Sequence, residues 1–164
     1  MGRSWWALAV SAVVLAGCFG GAASTSEPVE MTECALVGSW QDPNGSVIVF
    51  GADDTFTATN LPYQEFPSFE GVLPPGFDPK TDPLPASGWW ALSPPLGAPS
   101  GPNVSVDLHV RELAGGPSST GLHLRSEKDG AETVLTFYIG DPDLNDRFVY
   151  RRCGATCPTA TPSP

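Results

Sequence analysis

Positive charge is scarce in this 164-residue chain: 8 lysines and arginines stand against 18 aspartates and glutamates, a formal net charge of −10. An acidic surface without a basic stripe repels phosphate backbones, which argues against nucleic acid and against electrostatic attachment to anionic lipid. Hydrophobic runs are short as well. The apolar segment 5–15 falls below the roughly 20 residues that a membrane-spanning helix needs. No G-x-S-x-G, G-x-x-x-x-G-K or H-E-x-x-H occurs, so the enzyme classes that carry those motifs find no support. Long helical stretches are missing too. The 18 glycines and 18 prolines, with frequent Thr and Val, favour many short strands joined by turns.

What is present begins at the N-terminus. Arg3, the apolar run and then small residues make a secretory signal. Leu15-Ala16-Gly17-Cys18 resembles the bacterial lipobox, in which the cysteine is diacylated and becomes the new N-terminus. That resemblance implies an N-terminal palmitate-type anchor on Cys18 and an address on the extracytoplasmic face of a bacterial cell membrane. Two acyl chains hold durably where one holds marginally, so the anchor needs no help from the acidic domain. The expected organisation is a signal peptide over 1–17, a flexible tether over 18–33, a folded domain over 34–153 and a Pro/Thr tail over 154–164.

Within the domain, eight segments carry strand patterns: 35–41, 46–50, 55–60, 87–92, 103–113, 121–126, 133–139 and 147–152. The cleanest is 103–113, where Val104, Val106, Leu108 and Val110 alternate with Ser105, Asp107, His109 and Arg111. Turn signals separate the strands, among them Asn44-Gly45, Asp53-Asp54 and Asp129-Gly130. Eight consecutive antiparallel strands predict an all-β, up-and-down barrel, because closure removes the edges an open sheet would expose. A small open roll or two-sheet sandwich is the alternative. The break in the pattern is 61–85, with seven prolines and with Tyr63, Phe66, Phe69 and Phe77, read as a flap across one end of the domain.

Matching buried faces pairs Leu108 with Leu124 and Val110 with Leu122, which sets Asp107 opposite Arg125 and His109 opposite His123. In a closed barrel the first and last strands are neighbours, which predicts a Cys34–Cys153 disulfide, with Cys157 as the runner-up partner, in an oxidising compartment. Trp90 is expected to face inward and Trp89 outward.

Gly38-Ser39-Trp40 resembles the G-x-W of lipocalin-type barrels, in which a tryptophan plugs one end and an arginine near the C-terminal part packs over it; Arg151 or Arg152 is the matching residue. The chain is similar over most of its domain to small actinobacterial lipoproteins. The matching stretches are Leu36-Val37-Gly38-Ser39-Trp40, Asp54-Thr55-Phe56-Thr57-Ala58, Gly88-Trp89-Trp90-Ala91-Leu92 and Gly140-Asp141-Pro142-Asp143 followed by Phe148-Val149-Tyr150. The likeness implies a lipocalin-like barrel and an envelope address, without an activity.

Candidate chemistry is sparse. A His109, His123 and Asp107 set offers two nitrogens and a carboxylate, but on an outward polar face, so no metal or cofactor is expected. Residues 141–146 begin like a calcium loop, yet Asp146 stands where the glycine belongs and Arg152 where the bidentate glutamate belongs, which leaves a hairpin turn. Trp40, Phe56, Trp90, Phe137 and Tyr150 form the core, and would line a ligand box if the barrel were hollow. The expectation is a non-catalytic, lipid-anchored module that binds a small apolar ligand or an envelope protein. A purely structural accessory role and a hydrolase are the alternatives.

Overall fold

The computed structural model describes residues 26–61, 73, 75–76, 84–144 and 146–154. Eight strands close into an antiparallel up-and-down barrel: β1 (Gly38–Gln41), β2 (Val47–Phe50), β3 (Thr55–Thr59), β4 (Ala86–Ser93), β5 (Ser105–Leu113), β7 (Gly121–Asp129), β8 (Glu132–Tyr138) and β9 (Arg147–Arg152). A two-residue strand, β6 (Gly116–Pro117), adds to the end of β5. Around the wall the order is β4-β3-β2-β1-β9-β8-β7-β5, and the β4–β5 pairing shuts the ring, which rules out the open roll and the sandwich.

Alternation fills the barrel. Trp40, Ile48, Phe50, Phe56, Trp90, Leu108, Leu124, Leu135 and Tyr150 belong to one buried cluster, with Phe137 and Phe148 packed against it. Phe50 and Trp90 meet edge to face at 6.1 Å, the arrangement that ring quadrupoles favour. Trp89 faces out, as expected, and is 38% exposed. Gly88 has no substitute. A Cβ there would lie 2.0 Å from the His109 carbonyl oxygen, at a bulge where the β4–β5 register shifts.

The β5–β7 register differs from the expected one by two residues. Val106 faces Leu124, Leu108 faces Leu122 and Asp107 faces His123. Matching apolar faces fixes register only to within two residues, because a shift of two leaves every side chain on its own face. The connection decides the rest: Ala114 and Gly115, both at positive φ, make a two-residue turn that pairs Leu113 with Gly116, and 118–120 absorb one extra residue before β7. His109 therefore stands opposite Gly121, not His123, and the two histidines do not meet.

The N-terminal side also departs from expectation. Instead of a strand from Ala35, residues Glu33–Leu36 form one helical turn, α1, capped by Thr32, whose hydroxyl accepts from the Ala35 amide. The turn sets Cys34 on the outside as a free, exposed thiol, so the Cys34–Cys153 bridge is not formed; Cys153 is itself disulfide-bonded. Residues 27–31 are no tether either. Glu27 O accepts from Lys128 N, Val29 N donates to Ser126 O and Met31 N donates to Asn103 O. Strand β5 begins at Ser105, so the edge of β7 beyond Arg125 lacks a neighbour there, and this strap supplies one. Met31, 2% exposed, then enters the core.

The segments expected as signal peptide and tail, Cys18, and most of the expected flap lie outside the described residues. Of the flap region, Leu61 and Leu84 are buried in the core cluster and Leu73 packs against it.

Candidate functional site

The aromatic residues anticipated as core or ligand box are brought together, and their polar atoms bond within the protein. Trp40, 1% exposed, donates Nε1–H to Leu36 O at 2.8 Å. Arg152, directly opposite Trp40 on β9, donates from Nη1 to Ala35 O and from Nη2 to Val37 O, both at 2.7 Å. Two side chains thus satisfy three consecutive carbonyls at the end of α1 and fasten the plug at that mouth of the barrel. Arg151 points the other way, to Asp129 and Glu132.

Trp90 Nε1 reaches Gly51 O at 3.2 Å, and the Tyr150 hydroxyl lies 3.1 Å from Ser46 Oγ. Burial holds the Tyr150 hydroxyl protonated to well above its ordinary range. Phe56 is fully buried and Phe137 partly so. The polar atoms of these three interior aromatics, Trp40, Trp90 and Tyr150, are thus engaged within the protein.

A groove of about 490 Å³ lies instead on the outer wall. Its floor is the outward row of β5 and β7, with Ser105 and Asp107 facing Arg125 and His123. One side is the loop 94–104, folded by two tight turns, Ala98 N to Pro95 O and Gly101 N to Ala98 O, and presenting Pro94, Pro95 and the fully exposed Leu96. The strap forms the other side through Pro28.

Two charge arrangements sit in this groove. His123 Nδ1 and Asp107 Oδ1 are 2.6 Å apart, in a pair whose side chains are 51% and 36% exposed. Glu127 is different: an outward position, yet its side chain is 3% exposed, because the strap lies against it. The Tyr138 hydroxyl donates to its carboxylate at 2.9 and 3.0 Å, Arg147 stands at 3.6 Å, and Ser26 Oγ approaches the same hydroxyl at 2.8 Å. Arg125 lies over the Tyr138 ring, 5.3 Å from its centre. Elsewhere on the wall His109 stacks on Trp89 at 3.6 Å.

Chemically, the His123–Asp107 pair can hold an imidazole in one orientation. Among the described residues no hydroxyl or thiol hydrogen-bonds that imidazole, so no nucleophile is poised beside it. The calcium-like segment folds as a short 3-10 turn, Pro142–Leu144, with Asp141 Oδ1 accepting the Asp143 amide. Asp53 sits in the β2–β3 turn, where the Thr55 hydroxyl bonds it and holds its carboxyl below the ordinary range.

Sequence reasoning placed Asp107, His123 and Arg125 on one outer face but missed that the face is concave. Glu127 lies just past the strand expected over 121–126, so that reading did not single it out. The available signal was Val29 and Met31, two apolar residues in an otherwise polar lead-in. Compared with known proteins, the chain matches no family model, no curated protein and no solved structure.

Proposed function

We propose that this is a lipid-anchored extracytoplasmic lipoprotein whose barrel is a non-catalytic binding module, and that it binds through the outer-wall groove, with the barrel interior serving as scaffold. The observation that carries this reading is the contrast between the two candidate places. Interior aromatics bond to their own backbone or to Ser46, whereas the groove keeps polar side chains facing an open space of ligand size.

Anchorage rests on Leu15-Ala16-Gly17-Cys18. From Cys18 to Ser26, where the described chain begins, eight residue steps reach at most about 30 Å. The strap fixes that exit beside β7, so the groove, which the strap borders, is held close to the membrane.

Hydrogen exchange on protein extracted from its native membrane, compared with the same protein unfolded, stripped and refolded, tests the binding reading. Slower exchange over 94–107 and 121–127 in the native extract alone is expected. Protection confined to the inward rows of β1, β4 and β9 would place the ligand inside and refute the groove. Anchorage is tested by Cys18→Ala, which should move the protein to the soluble fraction.

A further inference from the structure

We propose that the groove takes an amphiphilic anion: one carboxylate or phosphate head held by Arg125 and His123, with an apolar body lying along Pro94, Pro95 and Leu96. This rests on the groove being the binding site and adds the class of ligand.

The argument is one of charge balance inside a concave space. Each acid that lines the groove is already engaged, Asp107 by His123 and Glu127 by Tyr138 and Arg147. Arg125 forms no ion pair among the described residues, although the chain carries more than twice as many acidic as basic groups. The Arg125 Cζ lies 5.3 Å from the centre of the Tyr138 ring, and with no ion pair formed among the described residues its N–H donors are left for an anion such as carboxylate or phosphate, which arginine binds with two parallel hydrogen bonds. His123 stands two residues along the same face of β7; with Nδ1–H donated to Asp107, its Nε2 donates to the anion in the doubly protonated ring, so Arg125 is the constant partner of the head and the imidazolium the second.

The other half of the ligand follows from the lip. Leu96 is fully exposed and Pro94 and Pro95 flank it, an apolar edge that a bound chain would remove from water. A nucleic acid or an acidic protein is disfavoured by the net charge of −10.

The test titrates the full chain with dodecanoate, dodecyl phosphate, dodecanol and dodecyltrimethylammonium, each below its micellar concentration, while following the amide and side-chain resonances of His123 and Arg125. Both anions should bind and shift those signals. Arg125→Ala should weaken them about ten- to a hundred-fold, as loss of charge-assisted bonds implies, and Arg111→Ala, on the same wall but outside the groove, should not. Leu96→Ser, at a residue whose exposure keeps it clear of folding, should weaken anions and alcohol alike.

Equal binding of alcohol, ammonium and anion, or anion binding unaffected in Arg125→Ala, overturns the proposal. If no amphiphile binds while the native extract still shows the groove protected, the ligand class is wrong and the groove stands; if neither is seen, both fall. Vesicles with and without phosphatidylglycerol form the second arm: binding to the monomeric anions alone marks a free amphiphile as the ligand, and binding to the anionic vesicles as well marks a membrane lipid.

Discussion

Two adjacent arginines end the last strand, and the structure assigns them very different weights. Arg152 donates two hydrogen bonds of 2.7 Å to Ala35 O and Val37 O, and so ties α1, the plug over the barrel mouth, to β9. Bonds to a charged group contribute about 1.5–3 kcal/mol each. Because Arg152 lies at the surface, water partly replaces it when the side chain is removed, so the low end applies with a further discount. Arg152→Ala should then cost about 2 kcal/mol. Arg151 meets Asp129 and Glu132, and these bonds hold its guanidinium pKa above the ordinary value, yet its side chain is 46% exposed. Exposed pairs of this kind contribute about 0–1 kcal/mol, so Arg151→Ala should be nearly silent. Urea unfolding followed by tryptophan fluorescence measures both. Hydrogen exchange separates them further: the Leu36 and Val37 amides, bonded to Thr32 O and Glu33 O, should lose protection in Arg152→Ala alone. Equal costs, or a larger cost at Arg151, would refute the assignment of the plug to Arg152.

Glu127→Ala removes the acceptor of the Tyr138 hydroxyl and leaves Arg147 facing a partly buried space, and should cost about 3 kcal/mol by urea unfolding, with Glu127→Gln milder. Gly88→Ala drives a methyl against the His109 carbonyl and should destabilise by about 3 kcal/mol or prevent folding, seen as lost near-ultraviolet dichroism. Tyr150, kept protonated by burial, contributes stability that is complete below its unfolded pKa near 10 and declines as pH rises past it, by about 1.4 kcal/mol per unit. Urea midpoints at pH 9 and pH 11 should show that fall in the native chain and a smaller one in Tyr150→Phe; an equal fall in both would locate the titration elsewhere.

Alternation of apolar and polar residues, punctuated by glycine and proline, was enough to set the number of barrel strands, their order and the inward faces of Trp40, Phe56, Trp90 and Tyr150. Those features depend on contacts between chain neighbours and on a two-residue period that any reader of the sequence can follow. The structure decided the rest, partly through local turns and partly through contacts distant along the chain. The β5–β7 register followed from Ala114 and Gly115 and not from the buried faces, because a slip of two residues costs no change of face. Cys34 turned outward because Thr32 starts a helical turn just where the strand pattern begins. Glu127 became buried, and its neighbours became a groove, because β5 is shorter than β7 at that end, so a strap from nearly a hundred residues upstream fills the gap. A strand's periodicity records which side is dry; it holds no record of which distant segment will lie across the side that is wet.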